Sequence, residues 1–358
     1  MRDTLVVIVA AGLFAVRPAA AQTPTPAALR FNGDFRVRYE HNTDVPAALR
    51  AREVVRFRLG ATYALQEDIT VRARIATGDP DDPNSTDVTL TSFVNDLAFT
   101  LDLASVEFTR PRFGAFAGKF TNPFLTTEMV WDGDVNPQGA GGRLKFGKAP
   151  GVTTNLTAMY FIVDQRQGDS TSDMGGAQLA VNAAAGKNWR VQGAAAYYNY
   201  RMSSLASASV SGDVRGNRLA PGGAVYLSDF NLIDGLVILD YSRSGTRFPL
   251  RFVGEYVKND GASDLNTGFS GDVYVGKTGS KGDIRARYGY AAVETDAILA
   301  AFAHDNTTIG TNSDTHTLSF DMTPRANTLL TATLYYYRHH EPADDFQTRL
   351  RLNAMVTF

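Results

Sequence analysis

Cysteine is absent from the 358 residues, which excludes disulfide scaffolds, thiolate metal sites and cysteine nucleophiles. Neither sign of charge is in excess. Thirty-five basic and 37 acidic residues leave a net charge of −2, so no general pull toward nucleic acid is expected. Histidine is scarce, at five residues. Beyond the first residues no apolar run approaches the ~18 positions that a membrane helix needs, which excludes a helical membrane protein. Disorder is excluded as well, because 44% of the chain is hydrophobic, too much for a chain that cannot form a core. What the chain does have is 32 Gly, 15 Tyr and 21 Phe, a composition for short strands, tight turns and aromatic-rich surfaces.

The N-terminus reads as an export leader. Arg2 precedes an apolar stretch from Leu5 to Val16, followed by Ala19-Ala20-Ala21. A basic start, a short apolar core and an Ala-x-Ala end form a secretory signal peptide. Cleavage is expected after Ala21, so residues 1–21 are leader and residues 22–28, rich in Pro and Thr, an extended lead-in.

From residue 29 onward the dominant signal is alternation with period two. Phe31, Phe35, Val37 and Tyr39 alternate with Asn32, Asp34, Arg36, Arg38 and Glu40. Val55, Phe57, Leu59, Ala61 and Tyr63 do the same against Arg56, Arg58 and Thr62. Helices would repeat every 3.6 residues, so these are strands. Further strands are expected near 69–75, 99–109, 112–120, 139–148, 152–165, 174–185, 188–201, 222–233, 235–243, 246–259, 268–279, 281–295, 311–323, 327–340 and 346–358. The phase is ambiguous at 112–120 and 222–243. Short turns such as Gln66-Glu67-Asp68 and Ala185-Gly186-Lys187 alternate with long loops, read as polar, at 79–98, 121–138, 164–173, 201–221, 259–267 and 296–310. The pattern predicts an all-β fold, a transmembrane antiparallel up-and-down β-barrel of about 16 strands filling residues 29–358.

Alternation alone does not separate a soluble sandwich from a membrane barrel. Three features favour the barrel. Closely spaced arginines on the polar faces suit a wet interior. Aromatics recur near strand ends, among them Phe31, Tyr63, Tyr160, Trp189, Tyr197, Tyr256, Phe269 and Tyr336, as in interfacial girdles. The last strand puts Leu350, Leu352, Ala354, Val356 and Phe358 on one face, and a terminal outward Phe358 is the expected signal for the outer-membrane barrel-assembly machinery.

The inward phase carries the candidate site. Arg36, Arg38, Arg56, Arg58, Arg72, Arg74, Arg349 and Arg351 fall on four neighbouring strands once the barrel closes, which predicts a pore-lining basic wall. A candidate acidic loop comes from Asp79, Asp81, Asp82, Asp87, Glu128, Asp132 and Asp134, folding inward to face that wall and set up a transverse field. The competing reading is that the arginines pair with acids such as Glu40 and Glu53 and merely fill the wall. Arg285 and Arg287 form a smaller second patch.

Six segments resemble the bacterial putative porins, a family of outer-membrane β-barrel channels: RIATGDPDDPNST at 74–86, GKFTNPF at 118–124, VWDGDVNPQGA at 130–140, YLSDF at 226–230, AVETDAILAAF at 292–302 and RLRLNAMVTF at 349–358. The resemblance implies a channel in the bacterial outer membrane, in contact with its lipids. A homotrimer is among the assemblies it implies, although residues 22–28 are too short for the helical N-terminal segment that some members carry. It names no solute.

Catalytic and metal chemistry find little support. His316 lies on the apolar phase and Ser319 on the other face, so the two point to opposite sides of the wall. His339-His340 sits at a strand end. Gly139 to Gly142 lacks the lysine of a phosphate loop, and the acid-rich loops lack EF-hand spacing. No catalytic residue, metal site, cofactor or nucleic-acid partner is therefore expected. The preferred reading is a porin passing small hydrophilic solutes by diffusion. The alternatives are a solute-specific channel whose arginines capture anions, a barrel enzyme, and a secreted soluble β protein.

Overall fold

A computed structural model describes residues 29–43, 51–80, 82–90, 96–165, 171–202, 214–223 and 225–358. The expected leader, the lead-in and Asp81 lie outside the described residues. The described chain is a closed antiparallel barrel of 16 strands. They are β1 (Leu29–Asn42), β2 (Ala51–Ala64), β3 (Ile69–Thr77), β4 (Phe99–Thr109), β5 (Phe113–Lys119), β6 (Gln138–Gly147), β7 (Thr153–Asp164) and β8 (Ser172–Ala185). The second half comprises β9 (Trp189–Arg201), β10 (Phe230–Tyr241), β11 (Leu250–Asn259), β12 (Thr267–Gly276), β13 (Ile284–Val293), β14 (Ser313–Arg325), β15 (Thr328–His339) and β16 (Gln347–Thr357). Each strand pairs with its sequence neighbours, and β1 closes the ring on β16, with Asp34 opposite Thr357 and Asn42 opposite Arg349.

The connections alternate as the sequence predicts. Tight turns such as 65–68, 110–112, 186–188 and 326–327 lie at one rim, and the long connections that follow Thr77, Lys119, Arg201 and Val293 leave from the other. One expectation is corrected: the strands placed at 222–233 and 235–243 are a single strand, β10. Gly235 continues the ladder opposite Ala195 and Tyr256 and makes no turn. The two faces of β10 are both apolar, which hid its phase.

The side chains are distributed inside out relative to a soluble protein. Phe35, Val37 and Tyr39 are exposed on the outer surface of β1, whereas Asp34, Arg38 and Glu40, on the alternate phase, are buried inside. Outward aromatics cluster toward both rims, Phe31, Tyr63 and Trp189 at the short-turn rim and Tyr197, Tyr256 and Tyr336 at the other. Phe358 continues the outer face beside Phe57, tied by backbone hydrogen bonds with Gly33 in both directions. Lipid is the solvent that such an outer face requires. Leu318→Arg, on the outward phase midway along β14, is accordingly expected to cost about 2–4 kcal/mol. Folding titrations in phospholipid vesicles check this; unchanged stability would place that face in water.

The strict inversion fails on one arc. The inward faces of β7 to β10 present Met159, Phe161, Met174, Tyr198, Tyr200, Phe230 and Leu232, all buried. They pack not on water but on two long segments that fold into the barrel: Phe120, Phe124, Val130 and Trp131 from 120–137, and Ile298, Leu299 and Phe302 from 294–312. The reading of 296–310 as a polar loop is thereby corrected. Ala297 to Ala303 is an apolar run at most 4% exposed, and it includes the single helical turn Ala300–Phe302. The ambiguous phase at 112–120 has a related origin. Phe116 packs against this core and stacks edge-on with Phe120 at 4.6 Å, and Gly118 takes φ +108°, a conformation that side chains avoid.

Candidate channel constriction

The two inward segments, with residues 84–87 of the connection after β3, meet the arginine strands inside the barrel and leave a cavity of about 100 Å³ between them. Trp131 fixes the first segment by stacking on Phe302 at 5.7 Å, with the rings nearly parallel at 6°. Side chains of the barrel wall button the same segment down. Gln178 accepts the Leu125 N–H at 2.7 Å and donates to its carbonyl at 2.8 Å. Glu255 accepts the Thr127 N–H at 3.2 Å and also its hydroxyl. An Asx turn, with the Phe124 N–H on Asn122 Oδ1 at 3.0 Å, opens the segment. From this platform Glu128, Asp132 and Asp134 reach the cavity, joined by Asp305 of the second segment.

Of the expected basic wall, Arg36, Arg38, Arg56 and Arg351 line the cavity, with Arg58 and Arg349 beside them, but each is ion-paired. Arg36 and Arg38 share Asp87, at 2.5 and 2.7 Å. Arg56 and Arg58 share Asp34 at 3.0 and 2.7 Å and Asp134 at 3.5 and 2.8 Å. Arg351 holds Glu40 at 2.7 Å and Asp305 at 3.4 Å, and Arg349 lies 3.9 Å from Glu40. Arg72 and Arg74 pair with Glu107 and Asp102 on β4 and do not line the cavity. An uncompensated guanidinium stripe is therefore corrected to a mosaic of charge-assisted pairs. The cross-strand register explains it, since Asp34 lies opposite Arg58 and Arg36 opposite Arg56. Glu40, on the same inward phase, is fully buried, whereas Glu53 faces outward and is exposed.

Of the expected acidic loop, Asp87 and Asp134 touch the wall directly rather than facing it across open space. Glu128 projects into the lumen, where it accepts a hydrogen bond from Asn306 Nδ2 at 2.6 Å. Asp79 and Asp82 line a separate cavity of about 310 Å³ with Lys119 behind the inward segment. Asp305 and Arg52, which pairs with Glu40 at 2.7 Å, were not anticipated. The apolar run ILAAFA directly before His304-Asp305 was the signal that this loop goes inside. Around the constriction seven arginines (Arg36, Arg38, Arg52, Arg56, Arg58, Arg349 and Arg351) thus face six carboxylates and the carboxyl of Asp132.

The loop groups titrate according to their surroundings. Burial, with Glu128 and Asp305 close by, holds the Asp132 carboxyl well above the usual carboxylate range. Burial alone would also raise Asp305, but Arg351, Arg38, Arg215 and Arg349 outweigh it and hold this acid at about 2. Burial, reinforced by Arg215, pushes the His304 imidazole down to about 4, so it is neutral at neutral pH. Arg285 and Arg287, the smaller patch, are paired at 2.8 Å with Asp321 and 2.7 Å with Asp272. The serine and histidine weighed for catalysis are apart: Ser319 hydrogen bonds Thr333 inside, and His316 meets Tyr288 on the outer face. Among the described residues no cluster of His and acidic side chains is arranged to hold a metal ion.

A closed 16-stranded barrel with long segments folded in to narrow its lumen is the plan of a diffusion channel. Residues 42–211 match the family model described as putative porin. The porin fold extends over nearly the whole chain. A loop L8 deletion mutant of OmpT, an outer membrane protein of Vibrio cholerae, is 10% identical, with 93% of this chain and 100% of that chain covered and a TM-score of 0.56. A triple mutant of the Rhodopseudomonas blastica porin is 12% identical, with 92% and 100% covered and a TM-score of 0.51. The in-vitro folded trimer form of Vibrio cholerae OmpT is 9% identical, with 93% and 99% covered and a TM-score of 0.53. None of the curated proteins compared matches the chain. At these identities the solved structures establish the fold alone: this is a transmembrane β-barrel of porin type.

Proposed function

We propose that the protein is a porin of the bacterial outer membrane that passes small hydrophilic solutes by passive diffusion, with little preference between anions and cations. The observation that carries this reading is the constriction itself. Its guanidinium and carboxylate groups are nearly matched in number and interleaved: Asp34 and Glu40 stand among the arginines of β1, β2 and β16, Asp87, Asp134 and Asp305 from the inward segments pair with the same arginines, and Glu128 and Asp132 complete the lining. Matched charge gives weak ion selectivity, and a lining of paired charges favours hydrophilic over apolar solutes. Capture of anions by a free arginine ladder is disfavoured, because the guanidinium forks already hold protein carboxylates. A trimer is the assembly proposed, and it draws support from the trimer form of the Vibrio cholerae barrel.

Planar-bilayer recording tests the reading. A linear current–voltage relation in potassium chloride is expected, with a reversal potential near zero in a salt gradient. Absence of conductance, or saturating current with block by one anion, would refute it.

A further inference from the structure

A second compartment, of about 340 Å³, opens off the constriction toward β12, β13 and β14. Its origin is a register feature. Gly289 and Ala291 on β13 lie between Asp272 and Ser270 of β12 on one side and Thr317 and Thr315 of β14 on the other. Two minimal side chains flanked by polar neighbours leave a hollow in the wall. A Cβ on Gly289 would sit 2.1 Å from the Asp272 carboxylate, so glycine is required for that acid to stand where it does.

The hollow offers donors and acceptors close together. Asp272 accepts from Arg287 at 2.7 Å, which leaves further lone pairs on the carboxylate and further N–H groups on the guanidinium. The Tyr274 ring lies 5.3 Å from the Arg285 guanidinium and 5.5 Å from that of Arg287. Among the described residues the hydroxyls of Ser270 and Thr317 make no hydrogen bond to protein, and Thr315 Oγ1 and His304 Nδ1 are buried without a partner. At the mouth, Glu128 and Asn306 line both this compartment and the constriction, so a solute in transit meets both.

That chemistry selects a ligand class. Glu128 and Asp272 against Arg287 leave an excess of negative charge, which repels anions. Vicinal hydroxyl groups donate and accept at once, matching carboxylates, guanidinium and hydroxyls set side by side. A tyrosine ring offers the apolar contact that the C–H face of a pyranose needs. The volume is at the lower end of the ~300–1,000 Å³ of small-molecule sites. We propose that this compartment is a binding subsite for a neutral polyhydroxylated solute of monosaccharide size. The proposal deepens the porin reading and rests on it for the solute's route of access.

Isothermal titration of the detergent-solubilised full chain with D-glucose, and separately with gluconate, tests it. Glucose is expected to bind at millimolar concentration and gluconate not to. The double variant S270A/T317V removes two hydroxyls that bond nothing in the protein, so it is expected to fold and to conduct as the parent does. It should weaken glucose binding about tenfold, the loss of two ordinary hydrogen bonds. No glucose binding by the parent, equal binding of gluconate, or an unchanged affinity in the double variant would overturn the proposal. Glucose binding by a chain that carries no current in a bilayer would instead refute the porin reading and leave the subsite standing.

Discussion

Trp131→Ala is expected to raise single-channel conductance and to lower stability by about 3–5 kcal/mol. Trp131 is 2% exposed, and its ring contacts join three parts of the molecule, with Phe302 reinforcing the junction through Phe161 and Tyr200. It stacks on Phe302 of the second inward segment, meets Phe161 of β7 edge-on at 5.6 Å, and lies 6.3 and 6.4 Å from Tyr198 and Tyr200 of β9. The next residue, Asp132, donates its backbone N–H to the Phe302 carbonyl at 2.8 Å. Truncation opens a cavity at the centre of this cluster, and the two segments lose their common support. Asp134, three residues on, then no longer sits between Arg56 and Arg58. The freed guanidinium groups should bias the wider pore toward anions. Trp131→Phe is the control. The indole Nε1 has no hydrogen-bond partner, so phenylalanine gives up packing area but no polar contact and should keep parental conductance. Bilayer recordings and thermal unfolding followed by gel mobility measure both effects. A destabilised Trp131→Ala channel with parental conductance and selectivity would show that the constriction does not depend on this stack.

Which parts of this were legible in the sequence follows from what each part depends on. The barrel was legible because its determinant is local: the two-residue period in segments such as 34–40 fixes which side chains face lipid, and alternating connection lengths fix the topology. The clustering of arginines on β1, β2 and β16 was legible because closure makes β1 and β16 neighbours. Its neutralisation was not. Whether Arg58 meets Asp34 depends on the β1–β2 register, and whether it meets Asp134 depends on a segment folding inward from 76 residues away in sequence. The apolar inner arc worked against the period itself. On β10, Leu232, Leu236 and Ile238 face the interior and Ile233 and Val237 face lipid, so a strand greasy on both sides has no readable phase. The signal that could have resolved it was the run from Ala297 to Ala303, which is too apolar for a solvated loop and needed an apolar surface to cover.

Glu40→Gln should be the most disruptive single charge change in the wall, costing about 3–5 kcal/mol. Glu40 is fully buried and compensates Arg52 and Arg351 at 2.7 Å each and Arg349 at 3.9 Å, while Asn42 donates to it at 3.3 Å. Glutamine preserves shape and one acceptor, so the loss isolates charge. Three guanidinium groups would keep one carboxylate partner, Asp305 on Arg351, besides neutral acceptors: the side chains of Asn42, Asn306 and Thr89 and backbone carbonyls, among them the Asp305 carbonyl 2.9 Å from Arg351. Water in the lumen screens part of the resulting repulsion, which places the cost at the lower end of the range. The same change adds one net positive charge beside the constriction, so the reversal potential in a salt gradient should move toward anion preference. Glu53→Gln, one strand over but on the outer phase, is the matched comparison, and neither its stability nor its selectivity should change. Equal effects from the two substitutions would mean that Glu40 acts through the general charge of the chain and not through the three arginines it holds.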